Sequence, residues 1–190
     1  MQWKEDLIGS GGKQDDENCF YRHALYKFSY KHIWANCRGY ESLSELFNIE
    51  IEGFCIGAVK ERLISCDRDS ELRGLLGVFN LRDYINAGVL LFNLIEIEKE
   101  GLSEKLEEAG HRTEYPHNDQ DVINAVFHNR IHLLPIRFNA INTYLYDRKK
   151  DTENEYGSEA IQQARKDPII HYIGECKPCT NPAQIPLFSI

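Results

Sequence analysis

Three short groups of residues in this chain are of types that can grip a hydroxylated, phosphate-bearing ligand. Asn86-Ala87-Gly88 sets a polar amide beside the two smallest side chains. Small side chains let a backbone come close to a ligand, and the amide supplies a donor and an acceptor. The same residues also read as an ordinary strand entered through a glycine bulge. Asp119-Gln120-Asp121 opens a predicted helix. Carboxylates there cap free N–H groups and offset the helix dipole, which needs no ligand at all. The functional alternative has Asp119 accepting, and Gln120 donating and accepting, at several hydroxyls, as a sugar ring requires. His171 closes an apolar strand, where a satisfied core histidine is commoner than a metal ligand. Gly174 and Lys177 follow at a spacing that could cradle a phosphate, with Lys177 as the counter-charge.

Cys176-Lys177-Pro178-Cys179 is a C-x-x-C, which can be redox-active or half of a zinc site. A redox pair opens a helix that lowers the thiol pKa, whereas Thr180-Asn181-Pro182 predicts a loop. No second C-x-x-C completes a zinc tetrad. The pair is read as a loop pair without a catalytic role.

The elements that position these groups follow from the hydrophobic pattern. Val89 to Phe92 is an apolar run suited to a buried strand and too short for a membrane span. Phe54 to Val59 predicts a second buried strand, preceded by a short helix carrying Leu43, Leu46 and Phe47 and capped by Ser42 or Ser44. Lys60 to Asn80 reads as a surface connection, and Ile95 to Ala109 as one helix stopped by Gly110. From Asp119, the residues Val122, Ile123, Val126 and Phe127 give a helix one buried face. Ile131 to Leu134 is a short strand, Ser158 to Lys166 a helix, and Pro168 to Gly174 a strand ending in a glycine turn. Before all this, Gly9 to Asn18 reads as a flexible arm and Tyr21 to Tyr30 as a marginal helix, so residues 1–40 are expected to pack poorly. Alternating strands and helices predict one α/β sandwich over residues 41–190, with a parallel or mixed sheet. Ligands of such sheets sit at the strand ends, so the joint placement of these groups matters more than any one residue.

Composition narrows the function. With 190 residues and 42% hydrophobic content the chain suits one soluble domain with a sizeable core. A net charge of -8 argues against a nucleic-acid partner and against a polybasic membrane surface. The start is not a signal peptide, and the six cysteines then read as reduced thiols, which places the protein in the cytoplasm.

Four segments, in order, resemble glycosyltransferase family 8, the lipopolysaccharide glycosyl- and galactosyltransferases and their glycogenin relatives. They are Ser42 to Phe47, Tyr84 to Val89, His117 to Asp121, and His171 to Gly174 with Lys177-Pro178. The resemblance implies a GT-A fold, a Rossmann-like sandwich, and transfer of a hexose from a UDP-sugar to a glycan or lipopolysaccharide, with retention of configuration and usually with Mn²⁺. It places Asn86, Ala87 and Gly88 near donor and acceptor, Asp119 and Gln120 on the donor sugar as the catalytic candidates, His171 on the metal, and Gly174 and Lys177 at the diphosphate. It also implies part of a nucleotide-binding half, with an Asp-x-Asp metal motif, before Leu43. There the chain reads Ile33-Trp34-Ala35-Asn36-Cys37-Arg38, without paired aspartates. An N-terminally truncated or frame-shifted member, poor as a transferase by itself, is therefore expected. The alternative is a non-catalytic remnant that binds sugar or protein.

Overall fold

The computed structural model describes residues 26–28, 31–35, 37–38, 41–61, 69–77, 81, 83–111, 115–117, 119–141, 149–166, 168–171 and 173. Everything is arranged about the strand β5 (Ile85–Asn93). It pairs antiparallel with β2 (Lys31–Ala35) on one side and with β4 (Ile56–Lys60) on the other. Outside these lie β1 (Tyr26–Phe28), antiparallel to β2, and β6 (Ile131–Leu133), parallel to β4. The order β1-β2-β5-β4-β6 makes a mixed sheet. A smaller sheet runs β3-β8-β7, from β3 (Cys37–Arg38), β8 (Ile170–His171) and β7 (Ala140–Ile141).

Seven α-helices occur among the described residues. They are α1 (Glu41–Phe47), α2 (Asp69–Leu76), α3 (Leu94–Lys99), α4 (Leu102–Gly110), α5 (Asp119–Phe127), α6 (Lys149–Tyr156) and α7 (Ser158–Ala164). One face of the large sheet packs Val59, Val89 and Leu91 against Leu46, Phe138, Ile161 and Ile169. The other packs Ile56, Ala58, Ile85 and Leu90 against Ile97, Leu102 and Phe127. Each fully buried side chain of this size stabilises the fold by about 1.5–3 kcal/mol.

Several expectations are corrected. Tyr26–Phe28 is a strand, not part of a helix, because its backbone pairs with β2. Lys31–Ala35 is hydrogen-bonded along β5, so residues 1–40, expected to pack poorly, contribute a strand beside the central one, while the flexible arm read over Gly9 to Asn18 lies outside the described residues. Asn86-Ala87-Gly88 lies inside β5, not ahead of it. The connection after Lys60 contains α2, held by buried Leu72 and Leu76. Ile95 to Ala109 is two helices, since Gly101 at φ 63° breaks the first and opens the second. Gly110 is the last residue of α4, not a stop beyond it. The first helix begins at Glu41, so neither Ser42 nor Ser44 is its cap. Helix α6, too polar in composition to show an apolar stripe, and the 3₁₀ turn at Ile136–Asn139 were not legible.

Candidate functional site

The site grows out of an irregularity in β5. Ala58 faces Leu90 while Lys60 faces Ile85, two steps along β4 against five along β5. A bulge of this kind changes which face a side chain takes, and here Ile85 and Ala87 share a core with Leu90 although Val89 and Leu91 belong to the opposite one. On the other side β2 ends at Ala35, opposite Val89, so among the described residues the stretch before Val89 has no strand neighbour there. Backbone groups freed in this way must find other partners.

They find side-chain amides. Ala87 N–H donates to Gln120 Oε1 at 3.0 Å, and Gly88 N–H to Asn86 Oδ1 at 2.9 Å. Asn124 accepts from Ile85 N–H at 2.8 Å and returns a hydrogen bond to the Ile85 carbonyl at 2.9 Å. Gln120 and Asn124 are one helical turn apart on α5, which is why both reach the same strand. Gln120 Nε2 also donates to the Tyr84 hydroxyl at 3.3 Å, which in turn donates to Asp121 Oδ1 at 2.5 Å. Asp121 is fully buried, and its second oxygen accepts the His117 N–H at 2.7 Å. Burial first, and then the hydrogen bond to Asp121, push the Tyr84 phenol far above its ordinary range, so it stays protonated.

Asn86 is bound from two more directions. Its Nδ2 donates to Glu61 Oε2 at 2.7 Å, and its Oδ1 accepts from Asn139 Nδ2 at 2.8 Å. The His171 ring lies against the gap left by Gly88, where an added Cβ would stand 2.1 Å from Cε1 and 2.2 Å from Nδ1. Glycine is needed here for close approach, not for an unusual φ.

Asn86, Ala87, Gly88, Gln120 and His171 are thus brought to one place. Asp119, the first residue of α5, is exposed beside Gln120 and has no side-chain partner among the described residues. Gly174, Lys177 and the pair Cys176 and Cys179 lie outside the described residues. Cys55 is buried and free, its thiol pushed up by burial. Tyr84, Glu61, Asn124 and Asn139 were missed as parts of this constellation. The signal was present: a buried amide at i+4 from Gln120, on a helix with an otherwise apolar inner face, asks for a backbone partner.

The arrangement can offer amide donors and acceptors and the exposed Asp119 carboxylate to a hydroxylated ligand. A metal fits it poorly. No group of three His, Cys, Asp or Glu side chains among the described residues is disposed to hold an ion. Cys37 pairs with His171 and Ala35 with Val89, and the sequence between and beside them, Trp34 to Cys37, supplies no carboxylate. Hard divalent ions such as Mn²⁺ favour oxygen ligands. A recess of about 320 Å³ opens between Leu76, His128, Asn129 and Leu133 and shares only Tyr84 and Asn124 with this network. It is lined by neither Gln120 nor His171, so the two are distinct.

Residues 39–181 match the family model described as glycosyl transferase family 8. The chain is 32% identical over 148 residues to the lipopolysaccharide 1,2-glucosyltransferase of Escherichia coli, covering 75% of this chain and 41% of that protein. It is 25% identical over 145 residues to general stress protein A of Bacillus subtilis (strain 168), covering 73% and 48%. The chain therefore spans less than half the length of these two relatives. Among solved structures it superposes on the bifunctional glycosyltransferase WbbM with a TM-score of 0.65 at 25% identity, over 78% of this chain and 29% of that one. On the galactosyltransferase LgtC, solved with donor and acceptor sugar analogues, the TM-score is 0.54 at 23% identity, over 80% and 56%.

Proposed function

The chain belongs to glycosyl transferase family 8, with the mixed α/β sheet of a GT-A-type fold, and from that premise we propose that its β5–α5 site binds a UDP-hexose. The reading extends to transfer of the hexose, with retention, to a glycan or lipopolysaccharide acceptor in the cytoplasm. The observation that carries it is the convergence of Asn86-Ala87-Gly88, Gln120 and His171 beside an exposed Asp119.

The roles follow from hydrogen-bonding capacity. Asp119 accepts from sugar hydroxyls. Gln120 has one lone pair and one N–H left after Ala87 and Tyr84, and these face the donor. Asn86 has a single N–H left, since Glu61 takes the other and its oxygen already accepts twice. Gly174 and Lys177 take the diphosphate, Lys177 by charge. Family likeness implies Mn²⁺ at His171, but the ligands on hand do not suit it, and donor binding is assigned to the amides, Asp119 and Lys177 alone. The misfit favours a second reading, in which the chain binds the sugar nucleotide without turning it over.

Isothermal titration of the purified chain with UDP-glucose and UDP-galactose, with and without Mn²⁺, followed by transfer and hydrolysis assays, tests both. Binding with turnover supports the transferase, and binding without turnover supports the second reading. Absence of binding to either sugar nucleotide overturns both.

A further inference from the structure

We propose that Asn139 is a positioning residue, which locks the small sheet carrying His171 onto the bulged strand carrying Asn86 and Gly88. The inference rests on the sugar-nucleotide reading for its functional meaning, though not for its geometry. Asn139 ends the 3₁₀ turn and immediately precedes β7, whose Ala140 and Ile141 pair with Ile170 and His171. It is 1% exposed, and its side chain crosses to the other sheet, donating to Asn86 Oδ1 at 2.8 Å and approaching the Asn86 carbonyl at 3.5 Å. One side chain thus ties the start of the small sheet to the centre of the large one.

The orientation of each amide is forced. Gly88 N–H makes the Asn86 atom it meets an acceptor, and the Glu61 carboxylate makes the other a donor. The Asn139 atom facing Asn86 Oδ1 must therefore be its NH₂ group. That leaves Asn139 Oδ1 buried and without a hydrogen bond among the described residues. An orphaned buried carbonyl is destabilising; a leucine would avoid it, whereas a turned amide would set two oxygens against each other and orphan the NH₂ group instead. The cost is tolerated because the same amide's donor side is needed at Asn86. What the donor holds is the Asn86 side-chain oxygen under Gly88 N–H, hence the backbone at the one place where the His171 ring requires a missing Cβ.

Asn139→Asp keeps the shape and removes the donor. The new carboxylate faces Asn86 Oδ1. If Asn86 holds still, two acceptors oppose each other. If its amide turns, Gly88 N–H and Glu61 both lose their proper partners. Either way the Gly88 amide resonance leaves its wild-type position at about pH 8 and its hydrogen exchange rises about tenfold, as for one lost hydrogen bond. Burial and a facing acceptor raise the pKa of the introduced carboxyl group. Once protonated it donates again, so the wild-type position returns on acidification toward about pH 6. Among the described residues, Glu61, which accepts from Asn86, and His171, whose ring lies against Gly88, are titratable groups beside this contact, and the wild-type profile over the same range removes their part.

A passive filler predicts no such return. An Asn139→Asp amide pattern equal to wild type at about pH 8, or one displaced equally at both pH values, overturns the inference. If the variant unfolds at the higher pH, melting at the two values decides, since recovery of the fold on acidification is expected and its absence overturns the inference as well. A titration with UDP-glucose is read separately. Wild type that fails to bind it defeats the sugar-nucleotide reading while leaving these resonances as they are.

Discussion

At Tyr84 one hydroxyl does two jobs, accepting a hydrogen bond from Gln120 Nε2 and donating its own to a fully buried Asp121. Tyr84→Phe leaves the Asp121 oxygen without that donor, and should cost about 1–3 kcal/mol in chemical denaturation while loosening Gln120. The same phenol sets an alkaline limit. Its folded pKa is raised, so its contribution is complete below the unfolded value near pH 10. Above that the unfolded chain releases the proton first, and stability falls by up to about 1.4 kcal/mol per pH unit. Denaturation midpoints measured upward from about pH 9 should show this fall, and Tyr84→Phe should flatten it. Asp119 is the opposite kind of residue, exposed and without a side-chain partner among the described residues. Asp119→Ala should lower sugar-nucleotide affinity about tenfold or more while changing stability by no more than about 1 kcal/mol, the worth of a helix-terminal carboxylate. Unchanged affinity by titration calorimetry removes it from the site.

The element that organises the site is the bulge in β5, and Gly88 is its tightest point. Gly88→Ala drives a methyl into the His171 ring, and overpacking of this kind costs about 1–3 kcal/mol. The melting temperature should fall and the His171 ring resonances should move together, whereas a silent substitution would mean that ring and strand are not in contact. Much of this was legible beforehand. Asn86-Ala87-Gly88 announces either a bulge or a close approach to a ligand; the structure has the bulge, and the close approach it shows is that of the His171 ring to Gly88. Helix α5 was legible because Val122 and Phe127 are buried at the spacing read from the sequence. What escaped notice is the partner of each polar residue on a buried face. Asn124 and Asn139 belong to the site through backbone or amide partners that lie 39 and 53 residues away, and no local pattern encodes those. Strand β2 escaped for the same reason, its place being fixed by register with Leu90 and Val89 and not by its own periodicity.

On the scale of the whole molecule, the proposed sugar-nucleotide donor would bring a diphosphate to a protein of net charge -8. With no metal-holding group of His, Cys, Asp or Glu side chains among the described residues, Mn²⁺ should change the affinity for UDP-glucose by less than about twofold, and a larger gain would reveal carboxylate ligands supplied from outside the described residues. The large sheet, the small sheet and α5 meet at one spot, which is where an open α/β sheet presents its strand ends. The 320 Å³ recess by Leu76 and Leu133 is the competing location for any ligand. Amide-resolved NMR of the isotopically labelled chain during titration with UDP-glucose separates the two directly. The account predicts that the shifts concentrate at Ala87, Gly88, Asp119, the Gln120 side-chain amide and His171; shifts centred on Leu76, His128, Asn129 and Leu133, with the β5 bulge unmoved, would contradict it.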